Sequence, residues 1–122
     1  MSKKIVLVED DHDTCRLIEN AFVTAGYQVE SLHEGKSIID QHFQLPDLFI
    51  LDNTIPTIDG IALCKYLKIQ QKTKSIPVIM ISGNHLLETK AMKAGASVFI
   101  AKPFKVESLV EHVEMLLHPQ LA

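Results

Sequence analysis

The chain has 122 residues, 47% of them apolar and 22% charged, with 12 Lys and Arg against 15 Asp and Glu and a formal net charge of -3. That is one domain of ordinary globular composition, residues 1–122, able to bury a core without staples and too apolar to be disordered. Mild acidity offers no basic footprint for nucleic acid, so direct nucleic-acid binding is not expected. No apolar run approaches the ~18 residues of a membrane span, and the run 5–8 is too short for a signal peptide, so no membrane association and a cytoplasmic location are expected.

Residues 5–8, Ile-Val-Leu-Val, are continuous, brief and rich in β-branched side chains, the pattern of a strand buried on both faces. Leu17, Ile18, Ala21, Phe22 and Ala25 recur at helical spacing, predicting a helix that starts near Asp11 to Asp13 and stops at Gly26, a C-terminal cap. Residues 27–32 predict a weaker strand and 37–43 a short helix. Pro46 introduces a second buried strand over 48–51, ending at Asp52. After a loop punctuated by Pro56 and the Asp59-Gly60 pair, residues 61–68 predict a helix with Leu63, Cys64 and Leu67 on one side. A third strong strand, 77–81, ends at Ser82-Gly83; a helix over 86–94 is closed by Gly95; a last strand, 98–101, ends at Lys102-Pro103. Val106, Leu109, Val110, Val113, Leu116 and Leu117 predict a final amphipathic helix.

The remaining reactive side chains have ordinary readings. Cys15 and Cys64 lack partner or ligand spacing and read as reduced thiols filling core space. His12, His33, His42, His85, His112 and His118 are scattered and are expected at the surface, His85 beside a loop a partner could touch. Met80 and Met92 are expected to serve packing, and Phe22, Phe43 and Phe49 the core.

Five strands alternating with five helices predict an α/β fold: a doubly wound parallel sheet with helices on both faces and right-handed crossovers. Ligands of such sheets bind at the carboxyl ends of the strands, which here finish on Glu9-Asp10-Asp11, Asp52, Ser82 and Lys102. Singly, each has a structural use: acids at a helix N-terminus, a turn cap, a helix N-cap, a solvated amine. Together they say more. Carboxylates gathered at one edge repel unless a cation neutralises them, and oxygen donors without His or Cys suit Mg2+. A lysine and a hydroxyl beside them are the cation and donor that a phosphoryl group needs, and one carboxylate could serve as nucleophile, forming an aspartyl phosphate.

The run Leu51-Asp52-Asn53-Thr54-Ile55-Pro56-Thr57-Ile58-Asp59-Gly60 resembles the phospho-acceptor loop of the receiver domains of bacterial two-component response regulators. Residues 5–10, Ser82-Gly83 and Lys102-Pro103-Phe104 match the family's other landmarks in order and distance, so the resemblance covers essentially the whole chain. It implies a flavodoxin-like (βα)5 fold with strand order 2-1-3-4-5, in a stand-alone, chemotaxis-type form or a fragment of a longer regulator. By the same resemblance Asp52 accepts the phosphoryl group from a histidine kinase phosphohistidine. Asp10 ligates Mg2+ directly and Glu9 through water, joined by Asp52 and the backbone carbonyl of Thr54. Lys102 pairs with the carboxylate or the phosphoryl oxygens, Ser82 hydrogen-bonds the phosphoryl group, and Phe99 turns inward with it. Thr54 and Asn84 flank the phosphoryl and tune dephosphorylation, and Asp11 starts the first helix. The departures, Ile55 for Met or Leu and Gly83 for Ala, are small.

The implied mechanism is a switch: phosphorylation adds about -1.5 to -2 charge at Asp52, and the face of the fourth helix, fifth strand and fifth helix changes shape for a partner. The implied partners are a sensor histidine kinase or phosphotransfer protein and a downstream target or output domain, the chain itself being a monomer or a phosphorylation-dependent homodimer. It would catalyse only its own phosphorylation and dephosphorylation. A phosphohydrolase with an aspartyl nucleophile would need a second Asp where Thr54 stands. A receiver-like interaction module without phosphorylation usually loses one of the acids or the lysine, all kept here. A flavin binder would want Ser, Thr and Gly donors where Glu9-Asp10-Asp11 stand.

Overall fold

Successive side chains of a strand point to opposite faces of its sheet, and in this chain both sets are apolar. In the computed structural model, which describes residues 2–53 and 59–121 (backbone alone for Leu121), this produces two cores. Val6, Val8, Phe49, Leu51, Val78 and Met80 pack under α2 (Lys36–Ile39), α3 (Gly60–Ile69) and α4 (Glu88–Lys93). Ile5, Leu7, Leu48, Ile50, Ile79 and Ile81 pack under α1 (His12–Thr24) and α5 (Val106–Leu117). Every residue of β3 (Leu48–Asp52) and β4 (Val78–Ser82) is buried, and each large apolar side chain so buried contributes about 1.5–3 kcal/mol.

The sheet is parallel throughout, in the order β2-β1-β3-β4-β5, with β1 spanning Lys4–Val8, β2 Gln28–Leu32 and β5 Val98–Ala101. The expected strand order and two-faced helix cover are therefore observed. Leaving β1 the chain winds to β2 on one side, then returns to β3 on the other. The switch point lies between the carboxyl ends of β1 and β3. The register pairs Val8 with Leu51, Asp52 with Ile81 and Ser82 with Ala101, so the residues that end β1, β3, β4 and β5 share one edge.

Three helices close alike. After α1, Gly26 N donates to Val23 O and Tyr27 N to Phe22 O; after α4, Gly95 N donates to Met92 O and Ala96 N to Ala91 O. Both glycines have positive φ, as this closure requires. After α2, Gln41 N donates to Ile38 O and His42 N to Ser37 O, with Gln41 itself at φ 59. That closure ends α2 at Ile39, shorter than the expected 37–43, and places Phe43 half-buried, edge-on to Phe49 at 5.7 Å.

Some expectations fail at the surface. Leu17 and Met92 are 58% and 44% exposed rather than packed. His112 and His118 are half-buried, with His118 against the ring of Tyr27. Cys15 and Cys64 are buried free thiols, as expected. Among the described residues no helix is long and apolar enough to cross a membrane.

Candidate functional site at the carboxyl ends of the strands

Asp52 is the last residue of β3 and is 1% exposed. Lys102, just past β5, reaches across β4 and sets its Nζ 2.6 Å from Asp52 Oδ2. Its backbone N donates to Ser82 O at 2.9 Å, which fixes the base of that reach, and the Lys102-Pro103 bond is cis. Partial burial opposes the Lys102 charge, but the hydrogen bond and attraction of Asp52, with Glu9 and Asp10 behind it, outweigh burial and raise its pKa above the ordinary 10.5.

Glu9 follows β1 and is 2% exposed. Burial, and then the hydrogen bond and charge of Asp52, push its pKa up to about 8. Asp10 is half-buried beside it. Asp11 belongs to the helix: its side chain accepts from Thr14 N at 2.8 Å as the N-cap of α1, and its N–H donates to Glu9 Oε2 at 3.2 Å.

Ser82 ends β4, 1% exposed, and its Oγ accepts from Asn84 N at 3.0 Å. The helix-capping task goes instead to Asn84, whose Oδ1 accepts from Leu86 N at 3.1 Å at the start of the 3-10 turn before α4. Phe99 is half-buried against the core on the α3 side. Thr54, with Ile55 and Pro56 of the same loop, lies outside the described residues.

Two neighbours escape a reading of the sequence. His33 follows β2, and its Nδ1 lies 3.1 Å from the carbonyl oxygen of Glu9, whose N–H donates to Leu32 O; the ring of His12 leans on His33 at 4.7 Å. The Glu9 peptide is thus held from both sides by the end of β2. Only the strand order, which seats β2 beside β1, makes His33 a neighbour of the acids. Asn53, next to Asp52, carries a buried Oδ1 with no hydrogen-bond partner among the described residues, facing Gly60.

Among the described residues no three His, Cys, Asp or Glu side chains close around a single point as a complete metal site. The donors that are gathered still suit Mg2+, which takes one or two carboxylates and keeps several waters. Glu9, Asp10 and Asp52 are three carboxyls facing one ammonium, and burial of two of them leaves a charge imbalance a divalent cation would relieve.

The sequence matches the response regulator receiver domain over residues 5–114. The chain belongs to that family. It is 34% identical over 119 residues to the response regulator ArlR of Staphylococcus epidermidis, covering 95% of this chain and 53% of ArlR. It is 31% identical over 120 residues to the phosphate regulon transcriptional regulatory protein PhoB of Rhizobium meliloti, covering 96% and 53%. The chain therefore spans about half the length of these curated relatives. Among solved structures, the receiver domain of the sensor histidine kinase PA1611 of Pseudomonas aeruginosa PAO1, which has a magnesium ion coordinated in its active-site cleft, superposes with a TM-score of 0.82 at 26% identity, covering 93% and 96% of the two chains. The chain is thus a receiver domain of the two-component phosphorelay type, homologous to regulators and to receiver domains of kinases.

Proposed function

We propose that Asp52 accepts a phosphoryl group from the phosphohistidine of a sensor kinase or phosphotransfer protein. The observation that carries this reading is the pair of buried Asp52 and half-buried Lys102, 2.6 Å apart, set beside Glu9 at the switch point of the sheet. An Asp52 carboxylate oxygen attacks phosphorus as the P–N bond breaks, and the imidazole leaves with its electron pair. Lys102, already bonded to this carboxylate, balances its charge beforehand and the phosphoryl oxygens afterwards. Glu9, Asp10, Asp52 and the backbone carbonyl of Thr54 are the residues that would hold Mg2+. When bound, that ion neutralises the acid cluster and the phosphoryl charge.

The new oxygens draw Ser82 Oγ away from Asn84 N, the bond it accepts in the unmodified protein at 3.0 Å. The segment between Ser82 and α4 shifts as that bond is given up, Phe99 moves toward the space Ser82 leaves, and the α4-β5-α5 face changes for a target protein, an output domain or a second receiver. Thr54 and Asn84, uncharged, set the lifetime of the phosphoryl group. The protein works in the cytoplasm and turns over no substrate but its own phosphoryl group. Beryllofluoride, which mimics the phosphoryl on a carboxylate, tests the switch: amide shifts are expected at Asp52 and along residues 83–104. A spectrum unchanged over 83–104 while Asp52 shifts would remove the switch from this account.

A further inference from the structure

The net charge of -3 conceals a division. Residues 60–93 contain six lysines and one glutamate, a net +5, so the rest of the chain carries -8. The fold gathers the positive segment on one side. α3 and α4 touch where Cys64 Sγ meets Ala94 O at 3.5 Å, and the stem of Lys68 lies against Gly95. Lys68 is engaged internally, its Nζ donating to Ile76 O at 2.7 Å. Lys65, Lys72, Lys74, Lys90 and Lys93 are exposed, and among the described residues none of them forms an ion pair.

A second, independent feature adjoins the first. Between α2 and the end of α3 lies a cleft of about 350 Å3, floored by Ile38, Phe43 and Leu67 and bordered by Lys72. Clefts of this size with an apolar floor and a few polar groups are the range that small ligands and side chains occupy. Its rim holds the amides of Gln41, Gln70 and Gln71, which can pair with the N–H and C=O of an extended peptide. Leu45, which lines the cleft, is 53% exposed, and Ile69, the residue before Gln70, is 77% exposed. The cleft lies at the amino ends of the strands, across the sheet from Asp52.

We propose that this surface docks an acidic segment of a partner protein, with one bulky apolar side chain seated in the α2–α3 cleft and carboxylates facing Lys65, Lys72 and Lys74. Charge complementarity selects the acidic partner, and the cleft and its amides select a peptide. A nucleic acid running past the patch would meet the net negative charge of the rest of the chain, and the patch contains no arginine to grip phosphates bidentately. Its distance from the acid site makes the dock indifferent to phosphorylation, so it serves as an anchor and not as an output of the switch.

The test is an amide-shift titration with a synthetic acidic peptide of Glu and Asp around one central Phe. Shifts are expected along residues 38–45 and 62–74, equally in wild type and in Asp52→Ala, where failure of the phosphorylation reading has no bearing. Lys65→Glu/Lys72→Glu, at exposed positions, should weaken binding by roughly tenfold or more, and so should Ala in place of the peptide's Phe. A peptide that shifts neither segment, or binds as well without its Phe, overturns the proposal. So does a single-stranded oligonucleotide of equal charge that shifts the same residues more strongly. Sedimentation of the chain alone as a dimer that Lys65→Glu/Lys72→Glu dissolves would assign the surface to a second copy and overturn it too.

Discussion

Asp10 and Asp11 are neighbours in sequence with different surroundings. The hydroxyl and then the backbone N–H of Thr14 hold the Asp11 carboxyl below the usual carboxylate range, as an N-cap does. Asp11→Ala should therefore lower the melting temperature by a few degrees and leave phosphoryl uptake from acetyl phosphate intact. Asp10→Ala should do the reverse, leaving the melting temperature nearly unchanged while abolishing Mg2+-dependent uptake. Glu9 predicts a pH dependence. Its pKa is about 8 in the folded protein against an ordinary 4.5, so between those values the folded chain binds the extra proton. Stability from this group is complete below about pH 4.5 and falls as pH rises toward 8. Lys102, raised above 10.5, adds no slope in that window. Without metal, the urea midpoint should decline from about pH 5 to 8, and Glu9→Gln should flatten the decline. A midpoint that rises over this range would contradict the assignment.

The elements explain why some features could be read from sequence and others could not. β1, β3 and β4 are apolar on both faces because helices cover both faces, so their position was legible and so were the groups that end them. The end of α2 was not. Its closure uses the left-handed conformation that marks Gly26 and Gly95, but Gln41 stands there with no sequence signal. A left-handed side chain costs about 1–2 kcal/mol, so Gln41→Gly should stabilise the protein by about 1 kcal/mol in urea denaturation, whereas Gly95→Ala should destabilise it. Gly60 is needed for a different reason: an added Cβ would stand 2.9 Å from Asn53 Oδ1 and 3.0 Å from Asn53 Cα. Gly60→Ala should cost about 1–3 kcal/mol. Because Asn53 adjoins Asp52, it should also slow phosphoryl uptake. A variant of wild-type stability and rate would show that the start of α3 does not constrain Asp52.

Across the whole molecule, the acid site follows from topology. Glu9, Asp52, Ser82 and Lys102 lie up to 93 positions apart in the chain, and a parallel sheet of order 2-1-3-4-5 sets them on one edge. Their pairing was legible because each ends a recognisable strand. His33 was not, since its place beside Glu9 depends on β2 lying next to β1. The division of charge between residues 60–93 and the rest of the chain was hidden because the two parts largely cancel in the net value. We propose above that Asp52 is the acceptor, and the acids around it should make its phosphorylation metal-dependent. Intact mass after incubation with acetyl phosphate and Mg2+, quenched in acid, tests it most directly. One phosphoryl group should be added to the wild type, none to Asp52→Ala, and none when Mg2+ is chelated. An adduct that persists in Asp52→Ala, or forms equally well without the metal, would contradict it.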